Sequence, residues 1–171
     1  MTATSATTLT DGPWAVHPDT AAASFTVRKL GLIRVRGRFA VTGGAATVAG
    51  GRPVSATATL DATSVRTGIA KRDVDLAAGR FLSSAQHPTM TVRTTAVVPD
   101  GDGWRADAVL TVAGGDAPLV LHVTRLPDAG PGTVRIRAAG RLDRAATPVG
   151  GPRWMIGRWV TVEVEAELQV S

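Results

Sequence analysis

Hydrophobic and polar residues alternate with period two along most of the chain. The stretch from Ala23 to Arg28 places Ala, Phe and Val on one side and Ser, Thr and Arg on the other. The same alternation returns in residues 35–41, 54–60, 90–96, 104–112, 119–123, 134–142 and 160–168. Because successive side chains of a strand point to opposite faces, this pattern predicts strands with one buried face. With short strands at 14–16 and near 45–49, we predict about eight or nine strands joined by Asp-Gly, Gly-Gly and Pro-Gly turns.

One segment departs from period two. Ile69, Asp73 and Leu76 stand at helical spacing after Thr67-Gly68, which predicts a short helical insertion near residues 69–83 that caps one end of the sheet. A single antiparallel sheet of this size buries its apolar faces most economically by closing on itself. The predicted fold class is therefore all-β, a single antiparallel β-barrel of about eight strands, and a two-sheet sandwich is the alternative.

The side chains predicted to point inward are small at many positions. Alanine or glycine occupies positions 23, 37, 56, 58, 96, 106, 108, 138, 140 and 166 of the inward rows, although a close-packed interior needs volume. The pattern therefore favours an open lumen that holds an elongated apolar molecule. Each five-carbon unit of such a molecule would contribute roughly 3 kcal/mol to the free energy of binding before ordering costs are subtracted. Strand phase places these residues in the lining: Phe25, Val27, Phe39, Leu60, Met90, Leu110, Leu121 and Ile136.

Length and composition fit one domain. The chain has 171 residues and 17.6 kDa, and we assign residues 13–171 to the barrel and the Thr/Ala/Ser-rich residues 1–12 to a disordered tail. It has no cysteine, which excludes disulfides and thiolate metal sites. No apolar stretch approaches the ~20 residues of a membrane helix, and we expect a cytoplasmic protein.

The formal charge of +5, supplied almost entirely by arginine, is compatible with nucleic acid or anionic lipid as a partner. No basic run or stacking aromatic cluster accompanies it, so we expect no nucleic-acid partner. A nucleic-acid interface would need the arginine rows at 34, 36, 38 and at 135, 137 to form one continuous basic face.

Candidate catalytic chemistry is sparse. His17, His87 and His122 lie in separate segments without metal-ligand spacing, and no Gly-x-Ser-x-Gly motif occurs. We therefore predict no metal, no cofactor and no catalytic residue, and interpret His122 as structural. The densest aromatic cluster precedes the last strand, and either core packing at one barrel end or a hydrophobic portal would account for it. In a portal, Met155 and Trp159 would touch ligand, and membrane contact would be at most transient, helped by two arginines. The members of the cluster are Arg153, Trp154, Met155, Ile156, Arg158 and Trp159.

Several segments, in this order and spacing, resemble one known family. They are VRKLGLIRVRGRF from Val27 to Phe39, LDATSVRTGIAKRDVDL from Leu60 to Leu76, Phe81, His87-Pro88, and Gly140 to Arg144. From Trp14 to Leu168 the chain resembles the YceI-like polyisoprenoid-binding family. The resemblance implies a lipocalin-like barrel that holds an isoprenoid or quinone tail in its lumen without catalytic apparatus.

The chain differs from the family's pattern at polar positions. His17 stands in place of the usual Asp, Lys29 in place of the His that follows Arg, and Asp75 in place of the His that precedes Leu. With Arg72 these residues are the candidate contacts for a polar head group. We expect a binding or carrier protein for an apolar small molecule, and a homodimer stays open. The alternative is an enzyme that rearranges or cyclises a hydrophobic molecule in the same cavity, which requires two or more ionisable groups to converge there.

Overall fold

The computed structural model describes residues 8–79, 81–127, 130–150 and 155–171. Within these ranges nine strands carry the fold, and one α-helix, α1 (Ala70–Ala77), follows the fourth of them. Short 3-10 turns occupy Pro18–Thr20 and Arg144–Ala146. The strands are β1 (Gly12–Val16), β2 (Ala22–Lys29), β3 (Ile33–Ala49), β4 (Arg52–Arg66), β5 (Thr89–Asp100), β6 (Gly103–Val112), β7 (Gly115–Leu126), β8 (Thr133–Asp143) and β9 (Trp159–Val170).

All nine strands belong to one antiparallel sheet, in the order β1-β3-β2-β9-β8-β7-β6-β5-β4, and β3 also pairs with β4. That last pairing closes the sheet into a barrel, so the predicted fold class is confirmed and the sandwich alternative is wrong. The helix lies inside the insertion predicted near residues 69–83.

β1 and β2 occupy one position in the barrel wall, end to end. Trp14 pairs with Ala46 of β3 and Val170 of β9, while further along Phe25 pairs with the same two strands. The 3-10 turn Pro18–Thr20 lies between the two strands. Pro18 has no backbone N–H with which to continue the hydrogen bonds to a neighbouring strand. The wall thus has eight strand positions and one of them is split.

The two ends of the barrel differ. The end that we call the base carries the hairpin turns at 50–51 and 101–102, and there Trp14, Val48 and Val134 pack in a buried cluster. The end that we call the mouth carries the β2–β3 turn, α1 with the segment that follows it, and the segment between β8 and β9.

The structure corrects two local predictions. Leu9, assigned to the disordered tail, packs against the base cluster, and its N–H donates to the Gly51 carbonyl (3.2 Å), while Asp11 Oδ1 accepts from Gly51 N (2.7 Å). Residues 8–12 are therefore attached to the barrel. Ala96, expected to point inward, is exposed, because the β5–β6 register shifts between Thr94 and Ala96. A bulge of one residue exchanges the two faces of a strand.

Candidate functional site

A cavity of about 740 Å³ lies inside the barrel. This volume falls within the ~300–1,000 Å³ typical of small-molecule sites. Its wall comes from every strand and is dominated by aliphatic side chains, including the small residues Ala23, Ala58, Ala106 and Ala138. The inward alanines leave unfilled the space that larger side chains would occupy in a packed core.

The predicted lining residues reach this cavity with one exception. These nine lie in its wall: Phe25, Val27, Phe39, Leu60, Met90, Leu110, Leu121, Ile136 and Met155. Trp159 does not: its side chain is on the outside, 47% exposed, between the guanidinium groups of Arg141 (4.8 Å) and Arg158 (5.3 Å). The reason is strand phase, since Val160 is the first residue of β9 that lines the lumen. Trp154 and Arg153 of the predicted portal lie outside the described residues.

Two aromatic rings shape one side of the lumen. Phe25 and Phe39 lie with ring centroids 5.4 Å apart. Gly37 is the cross-strand partner of Phe25, and the ring covers the glycine backbone so closely that a Cβ at position 37 would collide with it. A glycine is therefore required at position 37 to let the Phe25 ring lie against the wall instead of projecting into the lumen.

Charged residues of the wall gather at the mouth. Lys29, Arg72 and Asp75, three of the four predicted head-group contacts, line the same cavity at this end. The guanidinium of Arg72 is held by Thr67, with Nε 2.8 Å from the hydroxyl and Nη2 2.9 Å from the carbonyl oxygen. His17 is not part of the wall: it precedes the 3-10 turn between β1 and β2, halfway along the barrel, and is exposed.

Asp73 fixes α1 to the end of β4. Its Oδ1 accepts hydrogen bonds from Thr67 N (2.8 Å) and Thr67 Oγ1 (2.6 Å). The hydrogen bond from the Thr67 hydroxyl holds the pKa of Asp73 below its ordinary value, with smaller contributions from the charges of Arg66 and Arg72. Since the ionised carboxylate accepts both bonds, the attachment of the helix depends on Asp73 being charged.

Arg144 is the residue of the site that the sequence analysis did not single out. Its side chain is buried and donates to four backbone carbonyls of the segment before β9: Val149 (3.5 Å), Gly150 (2.9 Å), Ile156 (2.9 Å) and Gly157 (3.2 Å). It thereby holds the segment that contributes Met155 and Ile156 to the mouth. Its place in the family-like run Gly140 to Arg144 was the only signal in the sequence.

Away from the mouth the wall carries little charge. Glu163 borders the cavity, but its carboxylate forms an ion pair with Arg137 on the outer surface (3.4 Å). The ionisable groups that the enzymatic alternative would use thus lie at the mouth and not along the lumen. His122 lies on the outside, 3.5 Å from Asp100. Within the part of the chain that the structure describes, no three His, Cys, Asp or Glu side chains are grouped as metal ligands would be.

The outer arginines do not form the continuous basic face that nucleic acid would need. Arg137 lies 2.6 Å from Glu165, and Arg135 lies 3.7 Å from Glu167. These glutamates belong to β9, which separates β8 from β2 in the sheet. Across the described ranges, no helix is long and apolar enough to cross a bilayer.

A barrel of this topology around an apolar cavity matches a known family. The model of the YceI-like domain matches residues 14–168. The chain belongs to the YceI-like family. No curated protein matches the chain.

Several solved structures are similar to this chain in fold. BcnA of Burkholderia cenocepacia superposes with a TM-score of 0.78 at 18% identity, covering 89% of this chain and 98% of that one. A polyisoprenoid-binding domain from Saccharophagus degradans, implicated in plant cell wall breakdown, gives 0.66 at 21% identity, covering 92% and 98%. The YceI protein of Campylobacter jejuni gives 0.72 at 18% identity, covering 84% and 90%. The family expected from the sequence is thus confirmed.

Proposed function

We propose that this protein binds and carries a polyisoprenoid, quinone or similar long apolar molecule, with the tail inside the barrel. The observation that carries the proposal is the cavity of about 740 Å³ with its aliphatic wall. A polar metabolite would find few hydrogen-bond partners there, whereas a hydrocarbon tail needs none. The YceI-like family and the similarity to a polyisoprenoid-binding domain support the same class of ligand.

The volume sets the length of tail that fits. A water-sized group occupies about 30 Å³ in a liquid, so the cavity of 740 Å³ holds roughly 25 non-hydrogen atoms. That corresponds to about five isoprenoid units. At ~0.8 kcal/mol per buried CH₂ each unit contributes roughly 3 kcal/mol before ordering costs are subtracted. Affinity should therefore rise with tail length and level off near five units.

The polar head group of such a ligand would lie at the mouth. Lys29 and Arg72 supply hydrogen-bond donors and Asp75 an acceptor at that end of the cavity. A hydroxyl, quinone carbonyl or phosphate could meet them there while the tail extends toward the base. The rest of the lumen would leave such a group without a partner.

Two measurements test this proposal. The purified protein is extracted with organic solvent and the extract is analysed by mass spectrometry, and the delipidated protein is then titrated with prenyl alcohols and quinones of increasing tail length. We expect an apolar co-purifying molecule, and affinity that levels off near five units. An extract without any apolar molecule, together with no binding of any added prenyl lipid, would overturn the proposal.

A further inference from the structure

The turn between β2 and β3 exposes large apolar side chains beside the mouth. Leu30 is 48%, Leu32 91% and Ile33 53% exposed. The turn is fixed to the rim of the cavity, because Leu30 N donates to the carbonyl of Met155 at 2.6 Å and Gly157 N donates to that of Arg28 at 2.8 Å. We call Leu30, Leu32 and Ile33 the apolar tip. No charged residue separates its members from one another in the sequence.

The backbone of this turn is unfavourable for leucine. Leu30 has φ 54° and Gly31 φ 70°, as in the hairpin turns for which Asn-Gly is the preferred pair. A bulky residue at positive φ is an outlier, and such strain clusters at functional sites. An asparagine at position 30 would relieve it, but would also remove an apolar side chain from the tip.

Four arginines cover the outer face of the strands that lead to the tip. Arg28 lies on β2 and Arg34, Arg36 and Arg38 on β3, all exposed. Arg28 pairs directly with Arg34, and Arg38 with Arg66 of β4. Like charges placed directly opposite each other destabilise a sheet. We call Arg28, Arg34, Arg36 and Arg38 the arginine face.

The arginine face lacks the acidic partners that the arginines of β8 have. On β8, Arg135 and Arg137 form ion pairs with glutamates of β9. Among the described residues, no ion pair involves a member of the arginine face. Of the carboxylates at the mouth, that of Asp73 is bonded to Thr67, that of Asp143 to Arg158, and Asp75 borders the cavity. The charge of the arginine face is therefore available to an external anion.

We propose that the apolar tip and the arginine face together dock the mouth on an anionic lipid bilayer. Apolar side chains entering the headgroup region beside cationic residues are the two contributions that hold a peripheral protein on such a surface. Trp159 flanks the mouth on β9 between Arg141 and Arg158, and an exposed tryptophan suits the same interface. Nucleic acid would engage the arginines but would leave Leu32 without a role, which favours the bilayer.

Docking does not depend on what the cavity holds, so it can be tested apart from the proposed ligand. If both proposals hold, a tail could pass between bilayer and lumen through the mouth without crossing water. Vesicles free of prenyl lipid keep the two separate: binding to them reports docking alone, whereas titration with prenyl alcohols in solution reports the cavity alone.

The experiment is co-sedimentation of the full chain with phosphatidylcholine vesicles, with and without phosphatidylglycerol. We expect binding only to the anionic vesicles, weakening as salt is raised. Each cationic residue near an anionic surface strengthens binding about fivefold, so Arg34→Gln with Arg36→Gln should weaken it by up to ~25-fold. The control, Arg52→Gln with Arg93→Gln, removes the same charge from exposed residues elsewhere and should change binding less than about twofold.

Two variants of the tip complete the test. Leu30→Asn should bind vesicles more weakly while its thermal stability is equal to or above that of the wild type, which separates docking from folding. Leu32→Thr should also bind more weakly, whereas Val98→Thr, at a residue 48% exposed on β5, should not. Equal binding to neutral and anionic vesicles, no binding to either, or an equal loss in the control variants would overturn the proposal. So would arginine-dependent binding to duplex nucleic acid with vesicle binding unaffected by the tip variants.

Discussion

Filling the cavity with one added ring should shorten the tail that the barrel accepts. Ala138 lines the lumen on β8, between Val123 and Val164 in the sheet, and is 7% exposed. Ala138→Phe adds six carbon atoms to a cavity of 740 Å³, which holds roughly 25 at about 30 Å³ each. The tail length at which affinity levels off should fall by about one isoprenoid unit.

The expected loss of affinity follows from the burial that the ring displaces. One five-carbon unit left outside the lumen forfeits roughly 3 kcal/mol, which corresponds to up to ~150-fold weaker binding. Tails of three units or fewer should bind almost as tightly as before, because the reduced cavity still holds them. The free energy of unfolding should change little. A ring forced into a packed core costs about 1–3 kcal/mol, whereas a ring in an open lumen gains contacts with the wall. We therefore expect Ala138→Phe to lower the free energy of unfolding by less than about 1 kcal/mol.

The assay is titration of wild-type and variant protein with prenyl alcohols of increasing length, combined with chemical denaturation. Ala139→Phe is the matched control, because Ala139 is the next residue of the strand, faces outward and pairs with His122 and Glu163. It should leave the length dependence unchanged. If Ala138→Phe folds normally and binds long tails as the wild type does, the ligand is not in the lumen. If it loses more than about 3 kcal/mol while the control does not, the interior is packed and not open.

Three further changes probe the residues that shape the mouth and the wall. Arg144→Met should lower the free energy of unfolding by about 2–4 kcal/mol, because four carbonyls lose a buried charged donor; an unchanged denaturation midpoint would contradict this role. Asp73→Asn should lower the melting temperature at neutral pH. Because the pKa of Asp73 is lowered in the folded protein, the difference in melting temperature between wild type and variant should be complete above pH 3.8, the ordinary pKa of this carboxyl. It should vanish as the pH falls through the lower pKa of the folded state. A difference that does not change with pH would refute this role of Asp73. Gly37→Ala should push the Phe25 ring into the lumen and weaken long-tail binding severalfold, with less than about 1 kcal/mol lost in denaturation; loss of stability without loss of binding would count against it.

Strand phase was sufficient to predict the wall of the cavity. Phe25 and Leu60 line the lumen because a closed sheet has only two faces, and the polar residues that alternate with them mark the outer face. The prediction failed at two residues for different reasons. A one-residue bulge moved Ala96 to the outer face. Trp159 pairs regularly with Asp143, but it precedes Val160, which faces the lumen, so the alternation of β9 places Trp159 outside.

The polar part of the site was harder to predict because its contacts join distant segments. Arg144 acquires its role from carbonyls five to thirteen residues further on, in a segment without periodic pattern. His17 lies outside the cavity wall for a different reason. The split between β1 and β2 falls in the middle of the barrel wall, and nothing in the local sequence shows where two strands will share one position.

The distribution of charge along the barrel axis determines how an amphiphilic ligand should lie. The base is packed by Trp14, Val48 and Val134, whereas Lys29, Arg72 and Asp75 line the opposite end. A polar head group placed at the base would lose its hydration without gaining a partner, at a cost of about 1–3 kcal/mol on the scale of protein mutations. The same group at the mouth keeps water and charged partners. We therefore expect the tail to enter first and point toward the base, so that a tail longer than the capacity of the lumen extends out of the mouth with its head group.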